Sequence, residues 1–243
     1  MNHTDTVRNP GAEERLGAAC LLSMTGGFLD IYTYLYRGKV FANAVTGNMV
    51  LFGFNLANLE WFSAAKYLLA ICSYALGVFT AEAIHRSLPR ARRIGWHQSV
   101  LILETLCLAP IVLIPFGEFD FAVNSLISFV CALQVQTFRR VHGQPFASTM
   151  CTGNLRSGTE ALFRHFSGKD QAELKKFLHY FLVIGCFIAG AAFGAVLLRR
   201  FGHTVFLLAP VSLAAVFFMV TTKRQLAGIR GSIRKISRTV RGK

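Results

Sequence analysis

Phe41-Ala42-Asn43-Ala44-Val45-Thr46-Gly47-Asn48 returns in the second half of the chain as Phe146-Ala147-Ser148-Thr149-Met150-Cys151-Thr152-Gly153-Asn154. Each copy follows a tight basic turn, Arg37-Gly38-Lys39 in the first case and Arg139-Arg140-Val141-His142-Gly143 in the second. Further along, Lys66-Tyr67-Leu68 matches His179-Tyr180-Phe181, and Leu108-Ala109-Pro110 matches Leu208-Ala209-Pro210. One shared tripeptide carries no weight. Four matches in the same order over most of the 243 residues indicate an internal duplication.

Around the copies lie six apolar runs, at approximately 16–36, 64–84, 99–116, 120–138, 177–198 and 204–222. Such runs reach the roughly 18 to 20 residues that carry a helix across about 30 Å of hydrocarbon. Hydrophobic residues make up 53% of the chain and charged residues only 16%, less charge than a soluble domain carries. A chain of this size has no interior that could hide six such helices. The first run lacks a compact apolar stretch followed by a small-residue cleavage site, so it reads as a retained span. The expected fold is an all-α polytopic membrane protein. Residues 1–15 form an amino-terminal segment, 16–116 a first membrane repeat, 117–222 a second, and 223–243 a basic tail.

The net charge of +14 sits at the ends of apolar runs and in the tail, the pattern that holds helix ends on one side of a membrane. Nucleic-acid binding drops to a minor alternative. The lipid bilayer is the expected partner. Ile229, Ile233, Ile236 and Val240 fall on one stripe among the tail's basic residues, as expected of a helix lying on anionic lipids. The 85–97 connection holds Arg86, Arg90, Arg92 and Arg93, and the tail holds eight basic residues and no acid. Both fall on the cytoplasmic side of an inner membrane, with both termini, only if the short polar segments 43–58 and 147–163 do not cross. Arg199-Arg200 is the exception to that arrangement. Six spans with two re-entrant or half-depth T-G-N segments is the expected topology. Three crossings per half then make the halves inverted repeats, a design many secondary transporters share. Gly47 and Gly153, each between Thr and Asn, suit a break in the backbone at depth.

The pieces Gly26-Gly27-Phe28-Leu29-Asp30, Phe41-Ala42-Asn43, Thr46-Gly47-Asn48, Ala132-Leu133-Gln134-Val135-Gln136 and Thr152-Gly153-Asn154-Leu155 resemble the YoaK-like family of bacterial inner-membrane proteins, classed as a domain of unknown function. The resemblance covers most of residues 16 to 220. It implies a multi-pass membrane protein and supplies no substrate. Where a small residue is expected in the second-half motif, this chain has Gln134.

Polar groups facing lipid would each cost on the order of one to several kcal/mol, so those of the short segments must face protein, water or a ligand. The candidate binding or gating residues are Asp30, Asn43, Thr46, Asn48, Gln136, Thr152, Asn154, Arg156 and Glu160. Asp30 is an acid at membrane depth, or else a helix-end group reaching the interface near Arg37. Gln136 occupies the corresponding place in the second half. Arg156 and Glu160, four residues apart, would hold an anion and carry a proton, or simply pair with each other. Asn48 and Asn154 are gate residues at the backbone break, or helix-capping amides.

Glu82 and Glu104 read as interface salt-bridge partners of the 85–97 arginines. Lys66 and His179 open corresponding spans and would snorkel. Gly190 and Gly194, like Ser73 and Gly77, are spaced for close helix packing, and Pro110 and Pro210 for helix kinks. The six cysteines form no C-x-x-C pair and read as packing residues. No cofactor and no metal site is expected. No Ser–His, H-E-x-x-H or paired-carboxylate arrangement points to an enzyme, and Gly38, Gly47 and Gly53 form no phosphate-binding loop. The expected activity is transport of a small polar solute, with a proton carried by Asp30 or Glu160. The rival is a membrane scaffold in which the T-G-N pairs lock the halves together. A second copy of the chain is a further candidate partner.

Overall fold

The computed structural model describes residues 15–87, 95–141, 144–146 and 148–221. The expected tail helix and Arg90, Arg92 and Arg93 lie outside these residues. Among the described residues the chain forms eight α-helices: α1 (Leu16–Tyr36), α2 (Val45–Ala57), α3 (Trp61–Ser87), α4 (Trp96–Leu108), α5 (Asp120–Thr137), α6 (Cys151–Gly168), α7 (Gln171–Phe201) and α8 (Leu208–Val220). Short 3-10 segments continue α4 (Ala109–Leu113) and precede α8 (Gly202–Leu207). A two-residue ladder, Arg140–Val141 against Gln144–Pro145, precedes α6. Pro110 and Pro210 both stand where 3-10 and α-helical turns meet.

Among the described residues, four segments are long and apolar enough to cross a membrane: Leu16–Tyr36, Trp61–Ser87, Trp96–Leu113 and Gln171–Val220. Six were expected, and the difference has two causes. The last segment, 50 residues long, contains 177–198 and most of 204–222. Gly202, at a φ of 68°, ends α7 there, and the chain turns back through the 3-10 segment into α8. The run at 120–138 is indeed a helix, α5, but Asp120, Asn124, Ser125, Ser128, Gln134 and Gln136 dilute its apolar content. Asn124, Ser128 and Gln134 are buried, so α5 turns these polar groups toward other helices.

The short polar segments are α2 and α6, and each doubles back onto the next helix. The turns run through Leu59 and Lys169, both left-handed at φ 60° and 52°. Asp170 then caps α7, its carboxylate accepting from the Ala172 N–H at 2.8 Å. Across the halves, α1 packs along α7, α3 along α5, α4 along α8, α1 also against α8, and α4 also against α5. Small residues permit the closest approaches. A methyl group at Gly190 would strike the Met24 backbone, one at Gly194 the Phe28 ring at 2.8 Å, and one at Gly77 the Ala132 methyl at 2.7 Å. The small-residue spacing read from the sequence thus does its expected work at α1–α7 and α3–α5. Large apolar side chains elsewhere on α3 and α7, among them Phe79, Leu76, Phe193 and Val196, face outward.

One end of the bundle is closed by a side chain from the basic turn Arg37-Gly38-Lys39. Arg37, the residue after α1, is completely buried. Its Nε donates to the Tyr32 hydroxyl at 2.8 Å, Nη1 to Pro115 O and Asp120 Oδ1 at 2.7 Å each, and Nη2 to Ile114 O at 2.7 Å. The guanidinium also stacks on Phe116, with Cζ 4.6 Å from the ring centre. The Asn124 amide donates to the Arg37 carbonyl. A charge is tolerable there because every donor direction meets an acceptor. The clamp joins α1 to the link between α4 and α5, and so one half of the chain to the other.

Candidate functional site

The two repeated motifs meet. Asp30, Ile31, Phe41, Asn43, Thr46, Tyr74, Thr149, Cys151, Thr152, Gly153, Phe187 and Ala191 are among the residues lining one cavity of about 520 Å³. Its walls come from α1, α3 and α7, and the first turns of α2 and α6 open into it. Neither first turn contains an acid, and neither helix start has a side-chain cap. Their leading N–H groups therefore lack intrahelical acceptors, and each helix contributes the positive end of its dipole.

Asp30 supplies the charge of the site. It lies more than a turn before the end of α1 and is only 7% exposed. Its Oδ1 accepts from the Asn43 N–H at 2.7 Å and from Asn43 Nδ2 at 3.4 Å. Asn43 Nδ2 also donates to Gly26 O at 3.2 Å, which ties the residues before α2 to the middle of α1. Asn43 Oδ1 is buried and has no partner. The arginine near Asp30 in sequence pairs with Asp120 instead. Asp30 is thus a cavity group and not a helix-end group.

The remaining candidates divide. Thr46 and Thr152 line the cavity with Asp30 and Asn43. Asn48 is buried and turned back on the loop, its Oδ1 accepting from Phe41 N at 3.2 Å and its Nδ2 donating to Phe41 O at 2.6 Å. Asn154 is buried in the equivalent turn of α6. Arg156 and Glu160 form an exposed pair at 3.0 Å along α6. Gln136 bridges Glu82, 3.3 Å from its Nε2, and Arg139, 2.6 Å from its Oε1, at the end of α5. These do not join the cavity cluster.

Three details of the sequence reading change. The helices begin just before T-G-N, at Val45 and Cys151, so the backbone break precedes the motif. Gly47 and Gly153 are ordinary helical residues; among the described residues the glycines with positive φ are Gly38, Gly117 and Gly202. Asp30's counterpart by bonding is Gln134, whose Nε2 donates to Ser148 Oγ at 2.9 Å and to Leu22 O at 3.3 Å. Ser148 stands where Asn43 stands in the first copy. Its carbonyl accepts from Ser23 Oγ at 2.6 Å, and Ser23 also donates to Val183 O at 3.0 Å. The long amide at Gln134 spans a gap that a small residue would leave open.

Finally, Glu82 pairs with Arg86 at 3.2 Å as expected, but Glu104 does not form a salt bridge. Glu104 is wholly buried, and neither carboxyl oxygen has a partner. It stands about 12 Å along the axis from the start of α4 at Trp96, well inside the span.

Asn48 yields a direct prediction. Asn48→Leu removes both bonds to Phe41 and leaves its part-buried N–H and C=O without these partners, at up to about 1–3 kcal/mol for each group. Thermal unfolding in detergent is expected to shift down clearly, and Asn48→Asp, which keeps only the acceptor, should fall between. An unchanged midpoint in Asn48→Leu would show that the amide is not holding the loop.

The family model "Protein of unknown function (DUF1275)" matches residues 18–219. The UPF0700 transmembrane protein YoaK of Bacillus subtilis (strain 168) is 26% identical over 216 residues, covering 86% of this chain and 94% of its own length. No solved structure matches.

Proposed function

The chain belongs to the DUF1275 family of membrane proteins, and on that footing we propose that it carries a small polar solute across the membrane, with Asp30 as the acid of the transport site. The observation that carries this reading is the shared cavity: both uncapped helix starts and the buried Asp30 open into one space between the halves. A dry interlock would have no use for a cavity of about 520 Å³ with donors, hydroxyls and a carboxyl on its wall. Short helices that end at depth and direct their amino termini at a solute are a recurring feature of secondary transporters. Of the two proposed proton carriers, Asp30 faces the cavity, and Glu160 lies outside it with Arg156.

The reading includes six crossings in two inverted repeats, with both termini cytoplasmic in an inner membrane. Exchanging α1 with α5, α2 with α6, α3 with α7 and α4 with α8 maps every packed helix pair except α3 with α4 onto another packed pair, which supports a two-fold relation. α2 and α6 then enter only partway, each from its own side. Arg86 in the 85–97 connection marks the cytoplasmic face under the positive-inside rule. The scaffold reading draws support from Asn48, whose amide is spent on the Phe41 backbone. It leaves the cavity and its acid unexplained.

The test starts from purified protein and a thermal-shift screen of small polar metabolites, followed by uptake of the stabilising solute into proteoliposomes. Asp30→Asn is expected to lower uptake by about 10²-fold, in the range of losing a positioned proton-transfer group. Its unfolding midpoint should stay near wild type, since Asn keeps an acceptor toward Asn43. Normal uptake by Asp30→Asn and by the pair Thr46→Val and Thr152→Val would overturn the transport site.

A further inference from the structure

Glu104 is the most exceptional group in the membrane interior. It is 0% exposed, and both carboxyl oxygens are without a hydrogen-bond partner. A carboxylate in hydrocarbon surroundings carries a large desolvation penalty unless a cation or several donors receive it. Among the described residues, no cation of the elements packed on α4 is paired with Glu104. α8, which covers its buried face, contains no ionisable residue. α5 contributes Asp120, already engaged by Arg37, and the buried thiol of Cys131. α3 meets α4 at its start, where His85 stacks on Trp96. The other ionisable groups of α3 within the span are Lys66, Tyr67, Cys72, Tyr74, Glu82 and Arg86. Of these, Lys66 lies over Phe62 and Glu82 pairs with Arg86. On α4 itself are Cys107, one turn on, and His97, two turns back against Phe138.

The position of Glu104 links it to the cavity. Cys131 on α5 lies within electrostatic reach of both Asp30 and Glu104, and against the Asn43 amide. Ser128, one turn earlier on α5, is buried with its hydroxyl unpartnered, as is Asn43 Oδ1 on the cavity side. Ser128 and Cys131 thus share one face of α5, and Cys131 on that face is within reach of the cavity groups Asp30 and Asn43 and of Glu104. Buried side-chain oxygens left without a hydrogen-bond partner are uncommon unless they serve a purpose.

We propose that Glu104 is a proton-binding site inside the membrane, exchanging its proton with Asp30 across the face of α5 that carries Ser128 and Cys131. The step moves one proton between two carboxyl groups, so that one is charged while the other is neutral. Glu104 lies off the solute cavity, and its part is to couple occupancy of the cavity to the proton gradient. That coupling role rests on the transport reading, whereas proton binding at Glu104 does not.

Two measurements separate these points. Infrared difference spectra of the full chain in lipid nanodiscs, recorded on stepping the pH, should contain the carbonyl stretch of a buried carboxylic acid. It should be lost in Glu104→Gln and retained in Asp30→Asn. An unchanged band in Glu104→Gln would overturn the proposal. Should that variant not yield folded protein, Glu104→Asp is expected to shift the band, and an unshifted band would overturn it equally. With the solute from the thermal-shift screen, Glu104→Gln should lose accumulation driven by a pH gradient by about 10²-fold. Exchange of internal for external solute, which requires no net proton movement, should stay near wild type. Retained gradient-driven accumulation would refute the coupling role. If the wild type moves no solute in either assay, the transport reading fails, and the infrared result alone decides whether Glu104 binds the proton.

Discussion

Arg37→Ala is expected to leave little folded protein. Removal of one partner from a buried ion pair typically costs about 3–5 kcal/mol, because the other charge is left unpaired. Here the loss is compounded. Asp120 loses its cation, and the Ile114 and Pro115 carbonyls and the Tyr32 hydroxyl lose their donor together. Total stability of a protein is on the order of 5–15 kcal/mol, so the variant should unfold tens of degrees earlier or run as aggregate in size-exclusion chromatography. Arg37→Lys keeps the charge without the planar fork and can satisfy only part of the ring of acceptors, so an intermediate loss is expected. Asp120→Asn should be milder, since Asp120 is 21% exposed and Asn still offers an oxygen to Nη1. The double variant Arg37→Ala with Asp120→Asn should be no worse than Arg37→Ala alone, the signature of a coupled pair. If Arg37→Ala instead behaves like a surface substitution, the closed end of the bundle does not depend on this residue.

How little of that clamp was legible in the sequence is instructive. Arg37 stands next to Gly38 and Lys39, and its neighbours in the chain describe a basic turn. Apart from Tyr32, its environment is set by residues 77 and more positions away, in the α4–α5 link and at His203. Glu104 was misread for a similar reason. Its proximity in sequence to Arg92 and Arg93 suggests an interface pair, but helix α4 starts only at Trp96 and carries the acid inward. Local periodicity did reveal what depends on local chemistry: the apolar runs, the small-residue spacing, and the polar starts of α2 and α6. The duplicated motif also pointed to a common meeting place, because two copies of one polar element in a membrane must be sheltered by each other or by their neighbours. It could not tell cavity residues from structural ones. Asn48 and Thr46 lie two positions apart on one turn, and only the packing of Phe41 decides that Thr46 lines the cavity while Asn48 binds backbone.

The motif also drew attention to the wrong glycines. Gly153 sits in a T-G-N copy, yet a methyl group there would meet nothing within 4 Å, and its φ is not in the left-handed region. Gly153→Ala is therefore expected to be neutral, or stabilising by up to about 1 kcal/mol through the unfolded chain. Gly27 has the opposite character. A methyl group on it would strike the Phe187 carbonyl and approach Ala191 N to 3.0 Å, and one on Gly190 would meet Met24 Cα at 2.8 Å. These obstacles are backbone, so no rotamer change relieves them, and α1 and α7 must move apart. Overpacking of this kind costs about 1–3 kcal/mol per site and occasionally more. Gly27→Ala combined with Gly190→Ala should lower the unfolding midpoint well beyond the sum expected of two surface changes. The same crossing holds Asp30 and Ile31 on one wall of the cavity and Phe187 and Ala191 on the other, so widening it should also weaken solute binding. Asp30→Asn should lose transport with its stability intact, whereas the glycine pair should lose both together. A Gly27→Ala, Gly190→Ala variant with wild-type stability would mean that α1 and α7 are not in van der Waals contact there, and the cavity walls would have to be drawn differently.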